Sequence, residues 1–251
     1  MSYGISFRST MAFSGDYVND LPVVNPPLYQ LPVGSPRSRH SADRGVTISG
    51  GVVESWSQAE GDPTVLTVPS SSTAPVATAV DGRAAIRFNG VSDMLSAVSE
   101  SNQPYTLAVV SKLNNWVSTD SLKILVGGTP PGESRTAKAG EISVNSTGYL
   151  AYAGTLQSIG GPNASYGDID PNGWHVSVVS FNGASTYTQV DDRALTRNPG
   201  SLPRGGLTVG GGSSGLYSQV DVAEVVVWPV SMTAGQVADV VAAMRAAHGL
   251  V

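Results

Sequence analysis

The chain has 251 residues, a net charge of −5, only 13% charged residues and no cysteine. That length accommodates one large β domain with a full core, the missing cysteines exclude disulfides and thiolate metal sites, and an acidic balance without a basic cluster argues against a nucleic-acid partner. No run approaches the ~18 apolar residues of a membrane span, and the start, MSYGISFRSTMAF, lacks the charged-then-apolar order of a secretory signal.

Residues 1–45 carry Pro22, Pro26, Pro27, Pro32 and Pro36 and the basic patch Arg37-Ser38-Arg39-His40. Proline at this density dictates extended, non-helical backbone. The segment reads as an arm outside the folded core, with Tyr3, Ile5, Phe7, Phe13, Tyr17 and Tyr29 as anchors onto its own domain or a neighbouring subunit. From residue 46 short strands follow, near 46–54, 64–68, 76–80, 84–88, 94–98, 105–112, 122–127, 141–144, 149–153, 174–181, 185–190, 207–210 and 221–228. Ala84, Ile86 and Phe88 alternate with Ala85 and Arg87 and so share one face. Asn89-Gly90 and Asn182-Gly183 are dipeptides that tolerate positive φ, and each reads as a tight turn. The loop 154–172 is long for a compact domain, a length that often serves function. Val222 to Trp228 is a near-continuous apolar strand stopped by Pro229. A helix is predicted over 234–248. Thr233 and Gln236 form a capping box, Val237, Val240, Val241 and Met244 one buried stripe, and Gly249 the left-handed stop.

Four segments carry a resemblance: DGRAAIRFNGVSDML (81–95), GWHVSVVSFNGASTYTQVDD (173–192), LTVG (207–210) and DVAEVVVWPVSMTAGQVADVVAAMRAAHG (221–249). In this order they resemble the signatures of concanavalin A-like jelly-roll domains, the laminin-G and pentraxin-like superfamily. The resemblance implies an all-β fold, a two-sheet antiparallel jelly-roll sandwich over 46–251 with one C-terminal helix. It also implies carbohydrate binding or assembly more often than catalysis, and a structural role for Trp174-His175. A cysteine-free, unsignalled member fits bacteriophage virion proteins, which are made in the host cytoplasm.

The catalytic branch of that superfamily carries a Glu-x-Asp-x-x-Glu run, and no such run occurs here. Glu54 and Glu60 flank Trp56, but Gly61-Asp62 suggests a turn rather than one continuous strand carrying both. His40, His175 and His248 are scattered over different elements, with neither triad nor zinc spacing. Asp168 and Asp170 form a D-x-D that suits Ca²⁺ or, equally, a turn capped by its own carboxylates. Asp191-Asp192 reads as a hairpin turn. A sugar site needs an aromatic face beside polar groups. Of Tyr149, Tyr152, Tyr166, Tyr187, Tyr217 and Trp116, the two in Gly/Ser-rich loops, Tyr166 and Tyr217, are preferred, with Asn163 as a hydroxyl partner. The expectation is a non-enzymatic virion structural protein, a minor tail protein near the tail tip. Its arm would contact other virion proteins, and several copies per particle would hold a host-surface polysaccharide. A capsid decoration protein of the same fold is the alternative, and a carbohydrate-active enzyme is disfavoured.

Overall fold

The computed structural model describes residues 28–117, 121–146, 148–158, 169–212 and 215–250. In chain order the strands begin with β1 (Ser38–Ser41), β2 (Val46–Ser49), β3 (Val52–Ser57), β4 (Glu60–Gly61), β5 (Val65–Thr67) and β6 (Val76–Val80). There follow β7 (Arg83–Asn89), β8 (Leu95–Ser101), β9 (Tyr105–Leu113), β10 (Lys123–Gly127), β11 (Glu141–Asn145) and β12 (Gly148–Tyr152). The last are β13 (Leu156–Ser158), β14 (His175–Phe181), β15 (Thr186–Val190), β16 (Arg193–Arg197), β17 (Arg204–Val209) and β18 (Gln219–Trp228), before helix α1 (Ala234–Ala247).

Two antiparallel sheets form a jelly-roll sandwich. The first runs β16-β15-β14-β9-β18-β1-β4, with the β6–β7 hairpin also joined to β18. The second runs β13-β12-β11-β10-β17-β8-β5-β3-β2. Strand alternation divides the apolar residues between two cores. Leu107, Val109, Phe181, Val225 and Val227 of the first sheet face Leu95, Val126, Ile142 and Leu207 of the second. On the outer face of the first sheet, Ala108, Val110, Val176, Val178, Val226 and Trp228 meet Val237, Val240, Val241 and Met244 of α1. Burying each such helix side chain stabilises by roughly 1.5–3 kcal/mol. Because the first sheet is covered on both faces, β18 reads as a continuous apolar run instead of an alternating one.

The helix is held as its sequence predicts. Gln236 N donates to Thr233 Oγ1 at 3.3 Å, and Thr233 N donates to Gln236 Oε1 at 2.9 Å. Gly249 turns out of the helix at φ 62, and Leu250 N donates back to Arg245 O at 2.8 Å. No helix among the described residues is long and apolar enough to cross a membrane.

Several expectations need correction. Ser38–Ser41, assigned to the arm, is a buried strand pairing with both β18 and β4, so the sandwich begins before residue 46. Residues 46–54 are not one strand. Gly50 and Gly51, at φ 58 and 85, fold them into the β2–β3 hairpin. Asn182 has a negative φ of −154, and a 3₁₀ turn at Gly183–Ser185 replaces the expected two-residue turn. Asn89-Gly90 closes no hairpin, because β7 and β8 belong to different sheets. There Asn89 Oδ1 accepts from the amides of Val91, Ser92 and Asp93 and turns the chain from one sheet to the other. The tight turn of that region is Asp81-Gly82, both at positive φ. Asp191-Asp192 does join β15 to β16, with Asp191 at φ 50.

Candidate functional site

Three connections meet at one end of the sandwich: the one leaving β9, the one entering β14 and the one entering β18. Leu113 N donates to Pro171 O at 2.9 Å, and Asn114 N donates to Gln219 O at 2.8 Å. The Asn172 side chain clamps Trp116 on both sides, accepting from its N–H at 2.8 Å and donating to its carbonyl at 3.1 Å. Asp170 Oδ1 in turn accepts from Asn172 N and Nδ2, both at 3.0 Å.

His175 anchors this arrangement to the sheet. Its Nε2 lies 2.7 Å from Asp170 O and its Nδ1 2.7 Å from Asp191 Oδ2. Burial disfavours the imidazolium, but the Asp191 carboxylate and the Asp170 carbonyl outweigh it and raise the His175 pKa. With an acceptor at each nitrogen, the doubly protonated ring donates twice. The expected structural role of the Trp-His pair is thus realised, since Trp174 Nε1 also donates to Asp81 Oδ2 at 3.0 Å.

Between these connections lies a cleft of about 130 Å³ lined by Leu113, Asn114, Asn115, Trp116, Lys123 and Gln219. Asn115 is held at φ 59, a left-handed conformation that asparagine tolerates better than most residues. The Asn114 Nδ2 amide is buried without a hydrogen-bond partner. Such a group costs about 1–3 kcal/mol until an acceptor reaches it. One tryptophan, two asparagines, one glutamine and one lysine therefore line this small space, with Trp116 also packed against the inner core.

Of the predicted site residues, Asp170 and Tyr217 belong to this end, while Asn163, Tyr166 and Asp168 lie outside the described residues. The Asp170 carboxylate caps the Asn172 amides. No group of three or more metal-ligating side chains occurs among the described residues. Tyr217 bridges to Gly211 beside the cleft. Tyr149 is core, Tyr152 lies under Arg135 with its guanidinium 3.9 Å from the ring centre, and Tyr187 packs on the helix side. Asn114, Asn115, Lys123 and Gln219 escaped sequence reasoning. The Asn-Asn-Trp run just after an apolar strand was the signal available.

A larger pocket of about 540 Å³ opens between Tyr29, the β6–β7 turn and the end of α1. Beneath it a β-bulge between Val222 and Glu224 shifts the register of β18 against β9 and places Glu224 toward the helix face. Glu224 is fully buried and accepts from Arg39 Nε at 2.6 Å and Tyr29 OH at 2.7 Å, with His248 Nε2 also at 2.7 Å. Burial alone would raise its pKa, but His248 and Arg39 hold the carboxyl below the usual range. Burial and the facing Glu224 charge push the Tyr29 phenol far up, which removes it as a nucleophile. Arg83 donates to the carbonyls of His248 and Gly249 and to that of Asp81, and Arg44 grips Asp43. The polar groups of this pocket hold the fold together.

No family model and no curated protein matches the chain. Solved structures do. Trypanosoma rangeli sialidase superposes with a TM-score of 0.58 at 13% identity, over 86% of this chain and 34% of its own. Domain 4 of AbnA, an extracellular arabinanase of Geobacillus stearothermophilus in complex with arabinotriose, gives 0.55 at 12% identity over 82% and 98%. The binding domain of botulinum neurotoxin serotype G gives 0.54 at 8% identity over 83% and 51%. What the chain shares with them is the β-sandwich fold. This chain spans about a third of the sialidase, and likeness at these identities concerns the fold alone.

Proposed function

We propose that the chain is a non-catalytic carbohydrate-binding sandwich carried on a virion, as a minor tail protein near the tail tip, where it holds a host-surface polysaccharide. The observation that carries the binding reading is the loop-end cleft. It is lined by Trp116, an aromatic of the kind that takes sugar C–H groups, and by Asn114, Asn115 and Gln219, whose amides suit hydroxyls. The lectin-like sandwich supports it at the level of fold. The cysteine-free composition and the resemblance to phage jelly rolls support the virion setting.

A binding rather than hydrolytic role is supported by the state of the buried carboxylates. Glu224 is engaged by Arg39, Glu141 by Arg135 and Asp221 by Arg87. Retaining hydrolysis needs an acid and a nucleophile free to act about 5–5.5 Å apart. Glu54 is exposed on β3, and Glu60 faces Arg39 from the short strand β4.

A single shallow cleft of this size binds at millimolar to micromolar levels, about −4 to −8 kcal/mol. Several copies on one particle then supply useful attachment, with the N-terminal segment contacting other virion proteins. The test is a glycan array probed with a multivalent form of the protein, beside Trp116→Ala and Tyr217→Ala. Binding that disappears in Trp116→Ala supports the cleft. A blank array, or binding indifferent to both substitutions, refutes it. Antibody labelling of intact particles in the microscope separates a tail position from a capsid one.

A further inference from the structure

The charge of the cleft points to the class of saccharide it takes. The chain has three lysines. Lys112 is paired with Asp81, and Lys138 with Glu100 and Glu133. Lys123 has no ion-pair or hydrogen-bond partner among the described residues, and it lines the cleft. Among the described residues no carboxylate lines it. Asp170, on the neighbouring connection, has its Oδ1 occupied by the Asn172 amides.

An unpaired ammonium beside three amides and an indole is a chemical description of a ligand. The amides suit ring hydroxyls, the indole suits a C–H face, and the ammonium calls for an anion. We infer that the ligand is an acidic saccharide, a uronic-acid type of unit whose carboxylate is held by Lys123. A carboxylate matches better than a sulfate. Its two oxygens are satisfied by one ammonium and one amide N–H, whereas a sulfate ester brings three terminal oxygens to a site with one cation among the described residues. The chain's net charge of −5 gives an anion no long-range attraction, so discrimination comes from this contact. The inference rests on the reading of the cleft as a saccharide site.

The experiment uses the full chain in multivalent form. Its probes are polygalacturonate, alginate and hyaluronate, each beside its carboxyl-reduced counterpart, together with dextran sulfate. The wild type is expected to prefer at least one acidic polymer over its reduced form by about ten-fold, the scale of one hydrogen bond to a charged group. Lys123→Gln should abolish the preference, so that the acidic polymer and its reduced form bind alike, while Lys123→Arg keeps it. Unchanged thermal midpoints establish that both variants fold. Equal binding of acidic and reduced forms, a preference that survives Lys123→Gln, or a preference for dextran sulfate overturns the acidic-sugar inference and leaves the saccharide site standing. Binding of none of these polymers overturns the inference. If Trp116→Ala leaves binding of the reduced forms intact, the cleft itself is the wrong site and both fall.

Discussion

Replacing Arg39 by methionine tests how the N-terminal strand is secured. Arg39 is fully buried on β1, and its Nε meets the fully buried Glu224 at 2.6 Å. Its NH1 also donates to Tyr29 O at 2.9 Å and reaches Glu60 at 3.4 Å. Removing one partner of a buried ion pair costs about 3–5 kcal/mol, because the other charge stays buried without compensation. Tyr29 and His248 still face Glu224 in the variant, so the expected loss sits near the lower end, about 3 kcal/mol. At roughly 2–4 °C per kcal/mol for a chain of this size, the midpoint should fall by about 6–12 °C. Glu224→Gln should cost at least as much, since it strands Arg39 with only the half-exposed Glu60. The double variant Arg39→Met/Glu224→Leu replaces the pair with apolar volume, and its loss should undercut the sum of the singles by about 2 kcal/mol. Urea unfolding followed by tryptophan fluorescence measures all three. Singles that cost under about 1 kcal/mol, or losses additive within about 0.5 kcal/mol, refute the argument.

The same network predicts the outcome of truncation. Removing residues 1–41 deletes β1 and should abolish cooperative unfolding, whereas removing 1–27 should leave the circular dichroism spectrum and midpoint of the sandwich in place. His40 predicts a pH dependence. Burial holds its pKa down to about 4 against 6.5 when unfolded, so the unfolded chain takes up the proton first. Stability should therefore fall by up to about 3 kcal/mol from pH 6.5 to 4 and level off below, and His40→Gln should flatten that slope. An equal slope in urea titrations of both proteins would remove His40 as the cause. Raised His175 acts in the opposite sense above pH 6.5, and depressed Glu224 withdraws stability only below its unfolded pKa of 4.5. Gly210 sits at φ 79 with the Phe88 ring where a Cβ would be. Gly210→Ala should cost more than about 2 kcal/mol, and a stable variant would show that Phe88 can move.

What could be read from the sequence was what local pattern encodes. Helix α1 was legible because cap, stripe and stop all lie within seventeen residues of chain, 233–249. Strand β18 was legible as an apolar run. Its bulge was not, because Ala223-Glu224 looks like ordinary alternation until β9 is laid beside it. β1 has the sequence Ser-Arg-His-Ser, which reads as a solvated tail. Only a carboxylate on β18, far away in sequence, makes a buried arginine tenable there. The cleft was half legible. Trp116 and Tyr217 stood out as aromatics, but Lys123 and Gln219 come to the site from strands whose pairing no local signal records. Asn89-Gly90 and Asn182-Gly183 misled for a related reason: the dipeptide permits a tight turn, and sheet membership decides whether one forms.

The place of β18 has a consequence for how the protein is made. This strand lies between β9 on one side and both β7 and β1 on the other, yet it is the last strand to leave the ribosome. Until residue 219 is translated, the first sheet is three separate pieces, β16-β15-β14-β9, β1-β4 and the β6–β7 hairpin, with a gap between them. The edges of β9, β7 and β1 then stand open, and the apolar inner face of β9 has no neighbour on that side. At about 5–20 residues per second, synthesis from β1 to β18 takes on the order of ten to forty seconds. Unpaired edges held for that long are sites of association between nascent chains. The last strand of this fold is its keystone, and a chain cut short before it should collect in aggregates instead of forming a smaller sandwich.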